Sequence, residues 1–403
     1  MASLKMITRN SKNYLLNTYK RKDICFTKGK SATLTDIKGK KYIDFLSGIA
    51  VNNLGYSHPE LIKSIRKAMK GVWHTSNLYH IDSQAELAKL IVKSAFKGKC
   101  FFCNSGTEAN EAAYKLVKKY GKIVSPRKSD IVSMFDSFHG RSMGALSITG
   151  QKKYQEDFKP VLPAKFSKFN DPNDLARKVD FNTAAVIIEA VQGESGIHVA
   201  TKEFLRAVRD LCNRYNALMI VDEVQTGCCR TGKIFAYQHY DVTPDVITMA
   251  KALGGGLPIG CMLVRDKHAD IFAPGDHAST FGGNRFITTA ALSAFKIYSS
   301  ASFQKKVKQK EKYILKKLHE FTNNFPFIKE IRSRGLMIGI QIDTESPVSA
   351  AKIEELSLAG GLLVNNIKDK IIRLVPPLVI RNEEIDRGMR ILYKAFSRAE
   401  EML

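Results

Sequence analysis

The sequence predicts an α/β protein: a mostly parallel sheet with helices on both faces, and a smaller α+β domain assembled from both chain ends. Strand and helix signals alternate from about residue 60 to residue 300, the pattern made by parallel strands linked through crossover helices. Three apolar runs in that stretch, AAVIIEAV (184–191), ALMIVDEV (217–224) and DVITMA (245–250), suit buried strands, and each stops at polar or glycine-rich residues. Outside it, a hairpin signal near the start and a mixture of helix and strands after residue 300 mark a different unit. The predicted division is 1–59 and 301–403 for the two parts of the smaller domain, and 60–300 for the larger one.

Taken in chain order, TLTDIKGKKYIDFLSG reads as a hairpin turning at Lys38-Gly39. FCNSGTEANEAA, Phe102 to Ala113, is a strand end, a loop of small residues and a helix start. Ser105, Gly106 and Thr107 there offer N–H groups and hydroxyls at the positive end of a helix, a place for a phosphate, although S-G-T also serves simply as an N-cap. FHGR, Phe138 to Arg141, adds an aromatic face and a guanidinium suited to a bidentate carboxylate. KEFLRAVRDLCNRYN has helical spacing at Phe204, Leu205, Val208 and Leu211/Cys212, which completes a strand-helix-strand unit. Such sheets bind ligands at the carboxyl ends of their strands, and Glu194, Asp222 and Lys251 lie just past three of them.

Asp222 ends a very apolar strand, where an unpaired carboxylate is costly. A protonated heteroaromatic nitrogen would serve as its partner, with Gln225 donating to a phenolate oxygen; an N-cap with a structural ion pair is the alternative. Lys251 stands where an apolar run stops and Gly254-Gly255-Gly256 begin. It is either a lysine whose stem packs while its ammonium reaches water, or a desolvated amine that attacks a carbonyl and holds it as a Schiff base. Beyond residue 300, Phe303, Val307, Ile314 and Leu318 form one stripe of a lysine-rich amphipathic helix, followed by strands in GLMIGIQI and IIRLVPPLVI.

The bulk properties exclude several classes. No apolar run approaches the ~18 residues of a membrane span. The N-terminal MASLKMITRNSKNYLLNTYKRKD is basic without an apolar core or cleavage site, so no secretion signal is expected; a transit peptide shares its composition. Seven cysteines fall without a disulfide or metal framework, which points to reduced thiols in the cytoplasm and no metal. The net charge of +24 is scattered over solvated helix faces without any nucleic-acid-binding motif; it bears on solubility and on attraction of anionic substrates rather than on nucleic acid.

An amine for a Schiff base, a carboxylate for a ring nitrogen, a helix start for a phosphate and an aromatic for stacking together describe pyridoxal 5'-phosphate (PLP). The chain resembles the class III, or ornithine-type, PLP-dependent aminotransferases of fold type I from about Tyr19 to the C-terminus. GTEANEAA, FHGRSMGALS, EAVQGESG, VDEVQTG, AKALGGGLPIG, STFGGN and IRLVPPL occur in family order. The resemblance implies that 60–300 is the cofactor-binding domain, that Lys251 forms the Schiff base and shuttles a proton, and that Asp222 pairs with the ring nitrogen. It implies Gly106, Thr107 and Ser105 near the phosphate, Phe138 and Val224 on the two ring faces, and Gln225 near the ring oxygen. Arg141 corresponds to the arginine that binds a substrate carboxylate. Ser279 and Thr280 match a pair that reaches across a homodimer interface, the first towards substrate and the second towards phosphate. Glu194 and Arg373 match a pair that opens to admit a second carboxylate.

Within the family, FHGR, AKALGGG and STFGGN are most similar to members acting on N2-acetylornithine. Ornithine-acting members usually carry tryptophan at the His139 position and serine at Gly254, and aminomutases methionine at Gln225. The implied reaction is a ping-pong exchange of N2-acetylornithine and 2-oxoglutarate for N-acetylglutamate 5-semialdehyde and glutamate, reversed in arginine biosynthesis. Succinylornithine, succinyl-diaminopimelate, ornithine and 4-aminobutyrate remain alternative amines, and a mutase on the same cofactor a further one. Arg285, Ala190 and Cys228-Cys229 depart from the usual family residues, at positions that carry no assigned chemistry.

Overall fold

The central strands are apolar on both sides because the pleat sends successive side chains to opposite faces and both faces are covered. Val186, Ile188, Met219 and Val221 join the core on one side, and Ala185, Ile187, Leu218 and Ile220 join that on the other. The helix Lys202–Arg214 lays Phe204, Leu205 and Val208 on the first face. Gly106–Val124 lays Ala112, Ala113, Leu116 and Val117 on the second.

The structure is a computed structural model describing residues 3–402. Its seven-stranded sheet has the order Gly98–Cys103, Gly260–Arg265, Val246–Met249, Leu218–Asp222, Thr183–Ile188, Asp130–Met134, Lys165–Ser167. Gly260–Arg265 alone runs opposite to the other six strands, which are parallel to one another. That strand has no counterpart in the sequence reading, because its short apolar run follows directly on Gly254-Gly255-Gly256 and Pro258, which read as loop.

Two four-stranded sheets flank this body. In one, Phe26–Lys30, Thr33–Asp36 and Lys41–Asp44 form an antiparallel meander, and Leu362–Leu363 from the far end of the chain adds parallel to Lys41–Asp44. The buried Glu384 carboxylate strengthens the junction by accepting hydrogen bonds from the Ser31 and Thr33 hydroxyls and the Ala32 N–H. The other sheet pairs Ile328–Arg334, Met337–Ile342, Ile371–Leu374 and Asn365–Ile367, all antiparallel. The strand read from IIRLVPPLVI stops at Leu374, just before two prolines that carry no N–H for a ladder. The expected lysine-rich helix spans Ala301–Asn324 and buries Val307, Ile314, Leu318 and Phe321. No helix among the described residues is long and apolar enough to cross a membrane.

Candidate active site

The parallel strands end side by side, so the residues that follow them converge on one cavity of about 480 Å³. Ser105, Gly106 and Thr107 line it, as do Phe138, Arg141 and Glu194. Asp222, Val224, Gln225 and Lys251 complete the set. Three of the residues drawn from the sequence lie elsewhere. Arg373 is buried behind Glu194, whereas Ser279 and the exposed Thr280 stand outside the cavity of their own chain.

Asp222 is the last residue of its strand and is 4% exposed. One oxygen accepts the Val224 N–H at 2.9 Å; the other accepts the Asn110 amide at 2.8 Å and His139 Nδ1 at 2.7 Å. These donors fix the carboxylate at the cavity base. Lys251 follows the neighbouring strand in a left-handed conformation, φ 46°, at the start of a tight turn. Enclosure lowers its amine below the ordinary lysine range and Arg373 adds to this, while the Glu194 and Asp222 charges oppose it. A larger fraction of uncharged amine is what attack on a carbonyl requires.

Ser105 is the N-cap of Gly106–Val124, its hydroxyl accepting the Glu108 N–H at 3.2 Å and donating to the Glu108 carboxylate at 3.1 Å. The cap and phosphate readings therefore divide: the serine hydroxyl caps, and the first N–H groups of the helix remain for an anion. Gly106 is required by close approach, since a Cβ there would lie 2.8 Å from Val224 Cγ1. Thr107 Oγ1 receives the Arg141 N–H at 3.2 Å, linking the helix start to the FHGR loop.

Arg373 Nη1 donates to Glu194 Oε1 at 2.7 Å and to the Gly193 carbonyl at 2.9 Å, and Nη2 to Asn365 Oδ1 at 2.7 Å. Gln225 Nε2 also donates to Glu194 Oε1, at 2.9 Å. Burial alone would raise Glu194, but Arg373, Lys251 and Gln225 outweigh it and bring its carboxyl down to about 2. Arg141 differs: it makes no ion pair among the described residues, so its N–H fork is open to a ligand.

The site contains residues to which sequence reasoning gave no role. His139 and Asn110 orient Asp222, although they sit in the quoted FHGR and GTEANEAA motifs. The signal is a helical repeat: Asn110 lies four residues beyond Gly106, on the face turned to the cavity. Glu189, just past its strand, also lines the cavity and accepts the Phe138 N–H at 3.2 Å. Burial and then the Asp222 charge raise it well above the usual carboxyl range.

A desolvated amine, a carboxylate fixed by three donors, unpaired helix N–H groups and a glycine whose space Val224 crowds fit PLP. The family profile of class III aminotransferases matches residues 16–396, and the chain belongs to that family of PLP-dependent aminotransferases. Among named relatives, it is 44% identical to the acetylornithine aminotransferase of Caldanaerobacter subterraneus subsp. tengcongensis, over 96% of this chain and 98% of that one. It is 43% identical to the acetylornithine aminotransferase of Methanocaldococcus jannaschii over 96% of each. In structure it resembles the ornithine aminotransferase of Toxoplasma gondii, with a TM-score of 0.94, 28% identity and coverage of 100% of this chain and 97% of that one. The N-acetylornithine aminotransferase of Stenotrophomonas maltophilia gives 0.85, with 31% identity over 98% and 100%. The fold is that of fold type I PLP enzymes.

Proposed function

We propose that the chain transaminates N2-acetylornithine with 2-oxoglutarate, giving N-acetylglutamate 5-semialdehyde and glutamate, and runs in the opposite direction when arginine is being made. The observation that carries this reading is the contrast between two arginines: Arg141 is open, and Arg373 is held by Glu194 at 2.7 Å. An amine with one carboxylate needs one guanidinium, whereas a dicarboxylic keto acid needs two. Arg141 binds the carboxylate common to both substrates, and release of Glu194 frees Arg373 for the second.

When bound, PLP supplies the carbonyl carbon that takes up the amine nitrogen and the ring that accepts electron density. Lys251 Nζ removes a proton from the substrate carbon bearing nitrogen and later delivers one. Asp222 keeps the ring nitrogen protonated, and His139 and Asn110 hold that carboxylate in place. The backbone N–H groups of Gly106 and Thr107 would hold the phosphate, and Phe138 and Val224, which both line the cavity, would flank the ring.

The reading includes a homodimer in the cytoplasm. Thr280 is exposed beside Phe281 (60% exposed), and Trp73 (55%) and Leu78 (86%) are further large apolar groups on the surface. A patch of this kind suits a second copy, to whose site Ser279 and Thr280 would contribute.

The test is a panel of amines with 2-oxoglutarate as acceptor: acetylornithine, succinylornithine, succinyl-diaminopimelate, ornithine and 4-aminobutyrate, with glutamate formation as readout. The expected result is the highest kcat/KM on acetylornithine. A clear preference for another amine overturns the substrate assignment, and turnover without a keto acid overturns transamination.

A further inference from the structure

Arg141 is exposed and has no carboxylate partner among the described residues, yet its position is defined. Its Cζ lies 3.9 Å from the centroid of the Tyr154 ring and 5.5 Å from that of Phe138. The two rings meet edge to face, 5.9 Å apart at 78°, so the guanidinium sits against an aromatic corner. Lys153 Nζ also lies 4.7 Å from the Tyr154 centroid.

Tyr154 is itself anchored. It belongs to the short helix Lys152–Gln155, whose buried Gln155 donates through Nε2 to the carbonyls of Leu146, Ser147 and Thr149 at 2.9, 3.3 and 3.0 Å. Thr149 Oγ1 in turn accepts the His139 N–H at 2.9 Å, which ties this helix to the loop bearing Phe138 and Arg141.

An aromatic face and an acidic side chain hold an arginine in different ways. A carboxylate would occupy the N–H fork and compete with an incoming substrate. A ring attracts the cation through its face and leaves the in-plane N–H donors available. We propose that Tyr154 is a positioning residue for substrate binding, stacking on Arg141 so that its fork is presented to the carboxylate shared by the amine and keto-acid substrates. This rests on the carboxylate role of Arg141.

Steady-state kinetics of the holoenzyme test it with both acetylornithine and 2-oxoglutarate. Tyr154→Leu should raise KM for each by about five- to tenfold, the scale of one cation–π contact, with kcat changed less than about twofold. Tyr154→Phe keeps the ring and should stay within about twofold of the parent. N-acetylputrescine, an amine without the carboxylate, should show the same KM with the parent and with Tyr154→Leu. Arg141→Ala alone should be as impaired as Arg141→Ala combined with Tyr154→Leu. If Arg141→Ala leaves KM unchanged, the carboxylate role of Arg141 is wrong. If Arg141→Ala raises KM but Tyr154→Leu does not, Tyr154 has no positioning role. Equal losses by Tyr154→Leu on N-acetylputrescine, or loss of bound cofactor absorbance, would make the tyrosine merely structural and overturn the proposal.

Discussion

Asp222 accepts three hydrogen bonds that hold its carboxylate in one place at the cavity base, and the proposed chemistry uses that carboxylate. Asp222→Asn should keep the fold and bind PLP, yet lower the single-turnover rate by about 10²-fold or more, because a neutral amide no longer holds a ring proton. Near-parent rates would refute the assignment. For Glu194 and Arg373 the expectation splits by half-reaction. Glu194→Ala should speed the glutamate half-reaction relative to the acetylornithine one, and Arg373→Ala should slow mainly the glutamate and 2-oxoglutarate steps. Equal slowing of both halves in both variants would leave a fixed ion pair. The pH dependence follows from the depressed Glu194 carboxyl. Its folded value of about 2 lies below the ordinary 4.5, so the pair's contribution is complete above 4.5 and fades only as pH falls towards 2. The ratio of the two half-reaction rates should therefore show no step from Glu194 between about pH 6 and 9.

At the scale of elements, the start of the helix Gly106–Val124 is set by the contact of Gly106 with Val224. Gly106→Ala places a methyl 2.8 Å from Val224 Cγ1 and should destabilise by about 1–3 kcal/mol while weakening PLP retention. Adding Val224→Ala removes the clash and should restore thermal stability; failure of that rescue would locate the cost elsewhere. The same helix shows what a sequence reveals and what it hides. Its N-cap was legible because it is local: Ser105 directly precedes the helix, and Ser-Gly-Thr is a familiar start. The strands Thr183–Ile188, Leu218–Asp222 and Val246–Met249 were legible as unbroken apolar runs. The Asp222–His139 bond was not, since its partners lie 83 residues apart and meet only through the order of the sheet. Glu189 was hidden too: on paper it is one acid in EAVQGESG, and only enclosure beside Asp222 changes its chemistry. Gly260–Arg265 was lost for a local reason, a short apolar run in the shadow of glycines.

For the whole molecule, the prediction concerns assembly. Phe281→Asp puts a charge beside the exposed apolar groups and, if the proposed homodimer uses them, should shift sedimentation from dimer towards monomer with loss of activity; a fully active dimer would exclude Phe281 from the interface. Hybrids of Lys251→Ala chains with Thr280→Asp chains should regain activity if sites are shared between copies, and inactive hybrids would count against sharing. Within one chain the parts are locked by Arg230, which is fully buried and donates to the carbonyls of Leu336 and Pro376 and to the Asn53 side chain. The pairing of Lys41–Asp44 with Leu362–Leu363 has a consequence for biosynthesis. The first strands leave the ribosome roughly three hundred residues before the strand that completes their sheet, which at ~5–20 residues per second means tens of seconds. Throughout that interval the nascent meander carries an unpaired edge, and the earliest part of the polypeptide to be made is among the last to be finished.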